Sequence, residues 1–220
     1  MPRVTSTGIC EFCKERFNKQ GIGRHLKKCP ARPTEAGIKE VHFHLLVEGY
    51  GAPMYWLHLE IPARARLTLL DSFLRNIWLE CCGHLSAFYI GHASFHSDPD
   101  GAYDEDARSM NTALSKVIDV GMKFKHDYDF GSTTTLQIKV VGCEERPAKK
   151  RSAVTLLARN TPPDIPCDIC GKPATHLCTE CVYDGGGCLC GAHADVHECG
   201  EEMLLPVVNS PRVGVCAYGG

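Results

Sequence analysis

Four residues near the amino terminus have the types and the spacing of a zinc site. They are Cys10, Cys13, His25 and Cys29. Two residues separate the first two cysteines, so a tight turn brings both sulfurs to one ion. His25 and Cys29 are four positions apart, which places them on one face of a helix. Structural zinc takes four such ligands in a tetrahedron, so we predict a zinc finger here.

The apolar residues Phe17 and Ile22 lie between the two ligand pairs and can close a small core over the ion. The pattern resembles the ββα zinc finger with a terminal Cys in place of His. Clustered basic residues are suited to phosphate contacts, which makes DNA or RNA a candidate ligand and a protein surface the alternative. One finger reads only about 3 base pairs, so we expect no sequence-specific DNA recognition by it alone. The candidate nucleic-acid-binding residues are Arg16, Lys19, Arg24, Lys27 and Lys28.

Eight further Cys and His residues form four close pairs near the carboxy terminus, enough for two tetrahedral zinc sites. The pairs are Cys167 with Cys170, Cys178 with Cys181, Cys190 with His193, and His197 with Cys199. A disulfide framework is the alternative, but disulfides need no histidine. A catalytic zinc keeps an open position, whereas these ligand sets are complete. Cys188 lies two residues before Cys190 and could replace it.

The order of these pairs resembles a B-box, a small zinc domain of protein-interaction modules. The resemblance implies alternate pairing along the chain and a protein partner. One ion would be held by Cys167, Cys170, Cys190 and His193, and the other by Cys178, Cys181, His197 and Cys199. With the finger, the sequence predicts three zinc ions as cofactors.

Four short motifs in the middle of the chain are similar to the plasmid pRiA4b ORF-3-like family. They are PMYW at 53–56, LLDSFLRNIW at 69–78, HLSAF at 84–88 and YDFG at 128–131. The similarity extends over roughly 38–142. It implies a compact α+β domain that is often encoded near mobile elements and has no assigned activity. Asp129 and Gly131 suit a turn, because Asp can bond its own backbone and Gly accepts a positive φ.

Hydrophobic periodicity in this middle segment predicts an α+β fold. We expect a central antiparallel-sheet domain with packed helices, flanked by two small zinc-stabilised domains. The last two strands form a hairpin at Gly131-Ser132, and 154–158 is a further apolar segment. The predicted strands are 41–47, 54–61, 87–90, 123–130 and 133–141, and the predicted helices are 68–79 and 111–120.

Proline-rich borders and the distribution of charge divide the chain into four segments. Residues 1–34 form the finger with a net charge of +6, and 35–146 form the middle domain with −6. Residues 147–163 form a basic, proline-containing linker with +4, and 164–220 form the B-box-like module and tail with −6. The composition excludes a disordered, collagen-like or coiled-coil protein. We expect a cytoplasmic protein without a membrane partner, because neither a signal peptide nor a long apolar run is visible.

The middle domain offers weaker candidates for chemistry. His84, His92 and His96 lie near five carboxylates, although a solvated acidic loop explains them more simply. Cys81 and Cys82 most simply pack in the core. A nucleophilic pair of Cys82 and His84 is the alternative, but no third orienting group is visible. The five carboxylates are Asp98, Asp100, Asp104, Glu105 and Asp106. A separate pair, His42 and His44, shares one face of a predicted strand and fits an exposed strand edge.

Two functions follow from these observations. The strong zinc signals favour a non-enzymatic adaptor with a protein partner and with DNA or RNA as a second ligand. The weaker signals, above all the His/carboxylate stretch, favour a metal-dependent hydrolase with its site in the middle domain. No catalytic residue is assigned, and Arg212 and Cys216 receive no role.

Overall fold

The computed structural model describes residues 6–33, 37–101, 104–148 and 153–220. A large, mostly antiparallel sheet dominates these ranges, with few helices and with Cys/His groups at both ends, which confirms the predicted α+β class. The helices are α1 (Lys19–Leu26), α2 (Leu67–Leu74) and α3 (Gly191–Ala194). The strands are β1 (Thr7–Cys10), β2 (Arg16–Asn18), β3 (Lys39–Gly49), β4 (Ala52–Pro62), β5 (Ser86–Ile90), β6 (Ala93–His96), β7 (Arg108–Ser109), β8 (Lys123–Tyr128), β9 (Thr134–Pro147), β10 (Thr155–Asn160), β11 (His176–Cys178), β12 (Cys188–Leu189) and β13 (Leu204–Pro206).

Two long hairpins form the centre of the large sheet, whose strand order is β2-β1-β10-β4-β3-β9-β8-β5-β6-β7. In the first, β3 turns into β4 at Tyr50-Gly51, where Gly51 has a φ of +77°. In the second, β8 turns into β9 around Gly131, as predicted. β3 pairs with β9 from Lys39 opposite Pro147 to Gly49 opposite Leu136, with one register shift between His44 and Leu45. Such interior strands bury alternate apolar side chains, including Leu45 and Val47.

Helix α2 lies over the core at the predicted position. Leu67, Leu70, Leu74 and Trp78 are fully buried, and their spacing of three or four places them on one helix face. The helix continues as one π-helical turn over Arg75–Leu79, so the predicted range of 68–79 is helical throughout. No helix in the described part of the chain is both long and apolar enough to cross a membrane.

The predicted helix over 111–120 is wrong. Only Leu114–Lys116 forms a short 3-10 turn. The backbone groups of this segment bond to the start of α2 instead: Leu67 N–H donates to the Thr112 carbonyl, and Leu114 N–H donates to the Ala65 carbonyl. A backbone group committed to a distant partner cannot bond within its own helix.

Strand β10 lies within the segment predicted as a linker and joins the finger to the middle domain. It pairs with β4 on one side and with β1 on the other, so one sheet runs through both parts. A second buried cluster forms at this junction. It contains Cys10, Ile22, Leu26 and Cys29 of the finger together with Trp56, Leu157 and Ala158 of the sheet.

The carboxy-terminal module has a three-stranded sheet in the order β12-β11-β13. The tail beyond it returns to the middle domain. Trp78 Nε1–H donates to the Asn209 carbonyl over 3.0 Å, and the Ser210 hydroxyl donates to the Trp78 carbonyl over 2.6 Å.

Candidate metal centres

The four predicted finger ligands converge in the structure. The ligand atoms of Cys10, Cys13, His25 and Cys29 all lie within 4.8 Å of one another. Cys10 and Cys29 have their sulfurs 3.8 Å apart, and Cys13 Sγ lies 3.3 Å from His25 Nε2. A tetrahedral zinc with Zn–S bonds of about 2.3 Å requires sulfurs about 3.8 Å apart. The group therefore has the dimensions of a zinc site.

Local features of the finger place these ligands. Asn18 caps α1 by accepting a hydrogen bond from Gly21 N–H over 2.6 Å, which starts the helix despite its two glycines. Phe17 stacks on the His25 ring with centroids 3.9 Å apart, and Ile22 is fully buried. Lys14 adopts a left-handed φ of +60° directly after Cys13, where the turn between the two cysteines closes.

The carboxy-terminal ligands assemble into two groups with alternate pairing along the chain. In each group, the four ligand atoms lie within 4.8 Å of one another, and two sulfurs are 3.7 Å apart. The groups are Cys167, Cys170, Cys190, His193 and Cys178, Cys181, His197, Cys199. Cys190 belongs to the first group, while Cys188 is outside both and donates its backbone N–H to Asp168.

The same groups contain thiols that ionise readily even without a metal. Burial raises the pKa of Cys167, but backbone N–H groups led by that of Cys190, together with His193, lower it to about 6. Burial also opposes ionisation of Cys178, whereas the backbone of Cys181 and the side chain of His197 bring its pKa to about 7. Since the thiolate is the metal ligand, each carboxy-terminal group offers a ready first ligand.

The finger lacks such a thiol at Cys10. Burial raises the pKa of that thiol to about 11. Metal binding must therefore displace the proton from Cys10, so the affinity of the finger should depend on pH.

A fourth group, absent from the predictions, brings Cys216 to Cys81, Cys82 and His84. Its four ligand atoms also lie within 4.8 Å of one another. The local pattern Cys-Cys-x-His at 81–84 is visible in the sequence. Cys216 lies more than a hundred residues away, so spacing alone could not show that it joins this group. Cys81 and Cys82 therefore lie in a ligand group instead of acting only as core residues.

A family description reading "Plasmid pRiA4b ORF-3-like protein" matches residues 41–185, which is more than half of the chain. The chain belongs to the pRiA4b ORF-3-like family. The match extends beyond the predicted 38–142 and includes the cysteine pairs up to Cys181. A crystal structure of a protein of unknown function from Methanosarcina mazei Go1 is similar at 17% identity with a TM-score of 0.45, covering 54% of this chain and 69% of that one. No curated protein matches.

The YDFG motif of the pRiA4b ORF-3-like domain forms the predicted turn. Asp129 has a φ of +65°, and its carboxylate accepts hydrogen bonds from the N–H groups of Gly131 and Ser132. The same carboxylate accepts a bond from Arg212 of the tail over 2.7 Å. Burial raises the Asp129 pKa, but the nearby guanidinium and the two N–H groups hold it below its ordinary value.

A buried polar triad ties α2 to the sheet of this domain. Asp71 Oδ1 lies 2.7 Å from His126 Nε2 and accepts a hydrogen bond from the Ser86 hydroxyl over 2.7 Å. All three side chains are buried. Because the serine donates to the carboxylate and not to the histidine, this arrangement does not activate a nucleophile.

The His/carboxylate stretch does not converge on one ligand group in the described part of the chain. His84 lies with the cysteines, and His92 is exposed. His96, Asp98 and Asp104 line a cavity of about 310 Å³. Since both carboxylates are exposed, the predicted solvated acidic loop describes them better than a metal site.

The predicted exposed edge for His42 and His44 is wrong, because β3 is an interior strand. His42 is 5% exposed, and His44 Nε2 lies 2.8 Å from His58 Nδ1. Burial lowers the pKa of His44 to about 4 and that of His58 to about 3, so both rings are neutral at pH 7. Strand alternation predicted that His42 and His44 share one face of β3. It did not predict that β4 and β9 pair with the two edges of that strand.

Four of the five candidate nucleic-acid residues are exposed on the finger. Arg16, Arg24, Lys27 and Lys28 face solvent. Lys19 instead forms an ion pair with Glu48 and donates to the Pro53 carbonyl over 2.7 Å. Its charge is therefore already compensated by the sheet.

Proposed function

We propose that this pRiA4b ORF-3-like protein is a zinc-binding adaptor whose metal ions are structural. The closure of the three predicted groups supports this most directly. Each consists of three cysteines and one histidine at the separations that tetrahedral zinc requires. A complete ligand set leaves no open position for a substrate or an activated water, which argues against hydrolysis at these ions.

The carboxy-terminal module is proposed to contact a protein through its B-box-like fold. The module carries a net charge of −6, which disfavours a phosphate backbone as its ligand. Large apolar side chains are nevertheless exposed beside its ligands: Ile169 at 64%, Tyr183 at 80% and Val196 at 75%. Exposed apolar side chains on a domain this small are suited to a protein partner.

The finger is proposed to contact nucleic acid through its exposed basic residues. The segment 1–34 carries a net charge of +6, and a bound zinc would hold several of these charges in one rigid unit. Arg24 lies in the last turn of α1, and Lys27 and Lys28 follow directly after the helix, so three exposed cations are close together in the sequence. Binding would depend on charge more than on base sequence.

Metal analysis tests the structural part of this proposal. Protein purified without chelator should contain zinc at every predicted group. Cys13→Ser, Cys170→Ser and Cys199→Ser should each lose one ion relative to wild type. Cys143→Ser is the matched control, because Cys143 is exposed on β9 outside all four groups. Fewer than two zinc ions per wild-type chain would contradict the proposal.

Affinity capture with two matched triple variants tests the protein contact. Ile169→Ser/Tyr183→Ser/Val196→Ser removes the exposed apolar side chains of the module. Ile38→Ser/Tyr50→Ser/Val120→Ser removes the same three residue types from exposed positions in the middle domain. A partner that wild type and the second variant retain, and that the first loses, supports the module as the contact. Equal capture by all three proteins contradicts it.

A further inference from the structure

The fourth ligand group has the same geometry as the three predicted ones. Cys216 Sγ lies 3.7 Å from Cys82 Sγ and 3.7 Å from His84 Nε2. The same sulfur–sulfur separation of 3.7 Å occurs in both carboxy-terminal groups. Tetrahedral zinc with bonds of about 2.3 Å to sulfur and about 2.0 Å to nitrogen requires edges of about 3.5 to 3.8 Å.

We propose that Cys81, Cys82, His84 and Cys216 bind a fourth structural zinc ion, which fastens the end of the chain to the middle domain. Three cysteines and one histidine make a complete set, as in the other groups. The site is separate from the three ions of the proposed function, and either can fail without the other.

The loop that supplies three of these ligands is fixed by its neighbours. Glu80 Oε1 accepts hydrogen bonds from Gly83 N–H over 2.6 Å and from the Tyr128 hydroxyl over 2.9 Å. The Tyr128 oxygen in turn accepts from the N–H of Cys81 and the N–H of His84. Gly83 has a φ of +74°, a left-handed conformation that lets the chain reverse between Cys82 and His84. These hydrogen bonds hold the backbone of the loop that carries Cys81, Cys82 and His84.

The tail is also held in place by residues that precede Cys216 in the sequence. The bonds between Trp78 and residues Asn209 and Ser210 anchor it on the π-helical turn that follows α2. Cys216 then adopts a left-handed φ of +54°, a costly conformation for a residue with a side chain. Such strain tends to persist where the surroundings impose it, as a shared metal ion would.

Arg212 compensates the charge of the proposed site. Three thiolates and one Zn²⁺ carry a net charge of −1. The guanidinium of Arg212 is fully buried and lies 3.4 Å from Cys81 Sγ. A hydrogen-bond donor directed at a ligating sulfur is the usual second layer of a metal site. This gives the buried cation a partner in addition to Asp129.

Zinc stoichiometry of the full chain tests the site, measured by native mass spectrometry and elemental analysis under reducing conditions. Wild type and the control Cys143→Ser should bind four ions. Cys216→Ser and His84→Ala should each bind three, and retention of those three shows that the variants are folded. After cobalt substitution, the sulfur-to-cobalt absorption of Cys216→Ser should fall to about three quarters, because all four groups hold three sulfurs.

The outcomes separate this site from the proposed function. Three ions in wild type and still three in Cys216→Ser would overturn the fourth site and leave the other three standing. Four ions in Cys216→Ser would also overturn it, because Cys216 would then not be a ligand. A disulfide between Cys82 and Cys216 that persists under these reducing conditions, detected by thiol alkylation, would also overturn the fourth site.

The rate of zinc release gives an independent test. Cys82 and Cys216 are both exposed, whereas each of the other groups has at most one exposed ligand. A chelator should therefore remove one of the four ions from wild type first. That fast phase should be missing from Cys216→Ser and present in Cys143→Ser. A fast phase that persists in Cys216→Ser would contradict the assignment.

Discussion

Arg212 and Asp129 form a buried ion pair that joins the end of the chain to the YDFG turn. The guanidinium is fully buried, the Asp129 side chain is 8% exposed, and the bond between them is 2.7 Å long. Arg212 also donates to the Ser132 carbonyl and the Thr134 hydroxyl, so it spans the whole β8–β9 turn. The conformation of that turn thus depends on a residue more than 80 positions away.

Replacing Arg212 should destabilise the protein strongly. Arg212→Met leaves the Asp129 carboxylate buried without its cation, and breaking a buried pair costs about 3 to 5 kcal/mol. Urea denaturation at pH 7 measures this loss. Arg108→Met, at an exposed position, is the control and should change the unfolding free energy by less than about 1 kcal/mol. Adding Asp129→Asn to Arg212→Met should restore part of the loss. No recovery would mean that the pair is not the source of the effect.

The joint between finger and sheet should not tolerate a side chain at Gly8. A Cβ at this position would overlap the Trp56 ring and the Arg159 carbonyl. We expect Gly8→Ala to cost about 1 to 3 kcal/mol, the usual range for overpacking. Gly142→Ala is the matched control, since Gly142 also lies in a strand and has open space around its Cβ position. Thermal melts in excess zinc would show the difference, and equal melting temperatures would place the finger away from Trp56.

The sequence predicted which Cys and His residues come together better than it predicted the structure around them. Ligands such as Cys10 and Cys13 are close in the sequence, so their spacing reports directly on geometry. The pairing of Gly8 with Asn160 joins residues more than 150 positions apart and leaves no local periodic signal. For the same reason, local spacing does not place Cys216 beside Cys81, Cys82 and His84. The middle domain was predicted well where strands alternate, as in β8, and poorly where tertiary hydrogen bonds override propensity, as in 111–120.

The half-buried His44 and the buried His58 should make stability fall in mild acid. The pKa of His44 is about 4 and that of His58 about 3, so the unfolded chain binds protons at a higher pH than the folded chain does. Their contribution is complete above pH 6.5 and is lost as the pH falls towards 4. Each ring adds a slope of up to about 1.4 kcal/mol per pH unit.

Comparison of wild type with variants separates protonation of these histidines from acid release of zinc, because wild type and the variants all lose zinc in the same way. His58→Phe should lose less unfolding free energy than wild type between pH 7 and pH 5 in urea titrations. His92→Phe changes an exposed histidine and should follow wild type. If His58→Phe had the same slope as wild type, the buried pair would not be the source of the acid sensitivity.

Nucleic-acid binding by the finger should be weak, nearly independent of sequence and strongly dependent on salt, because phosphate contacts dominate it. Anisotropy of a short labelled duplex and a short RNA, measured with the full chain, checks this.

In Arg24→Gln/Lys27→Gln/Lys28→Gln, the slope of log affinity against log salt should shrink by about one unit per lost contact. Lys116→Gln/Lys123→Gln/Lys139→Gln removes equal charge from exposed positions of the middle domain and should leave the slope unchanged. Lys19→Gln should also have little effect, since Glu48 already pairs with that lysine. Equal weakening by both triple variants would indicate that net charge alone drives binding. Absence of binding at low salt would leave the finger as a protein-contact module.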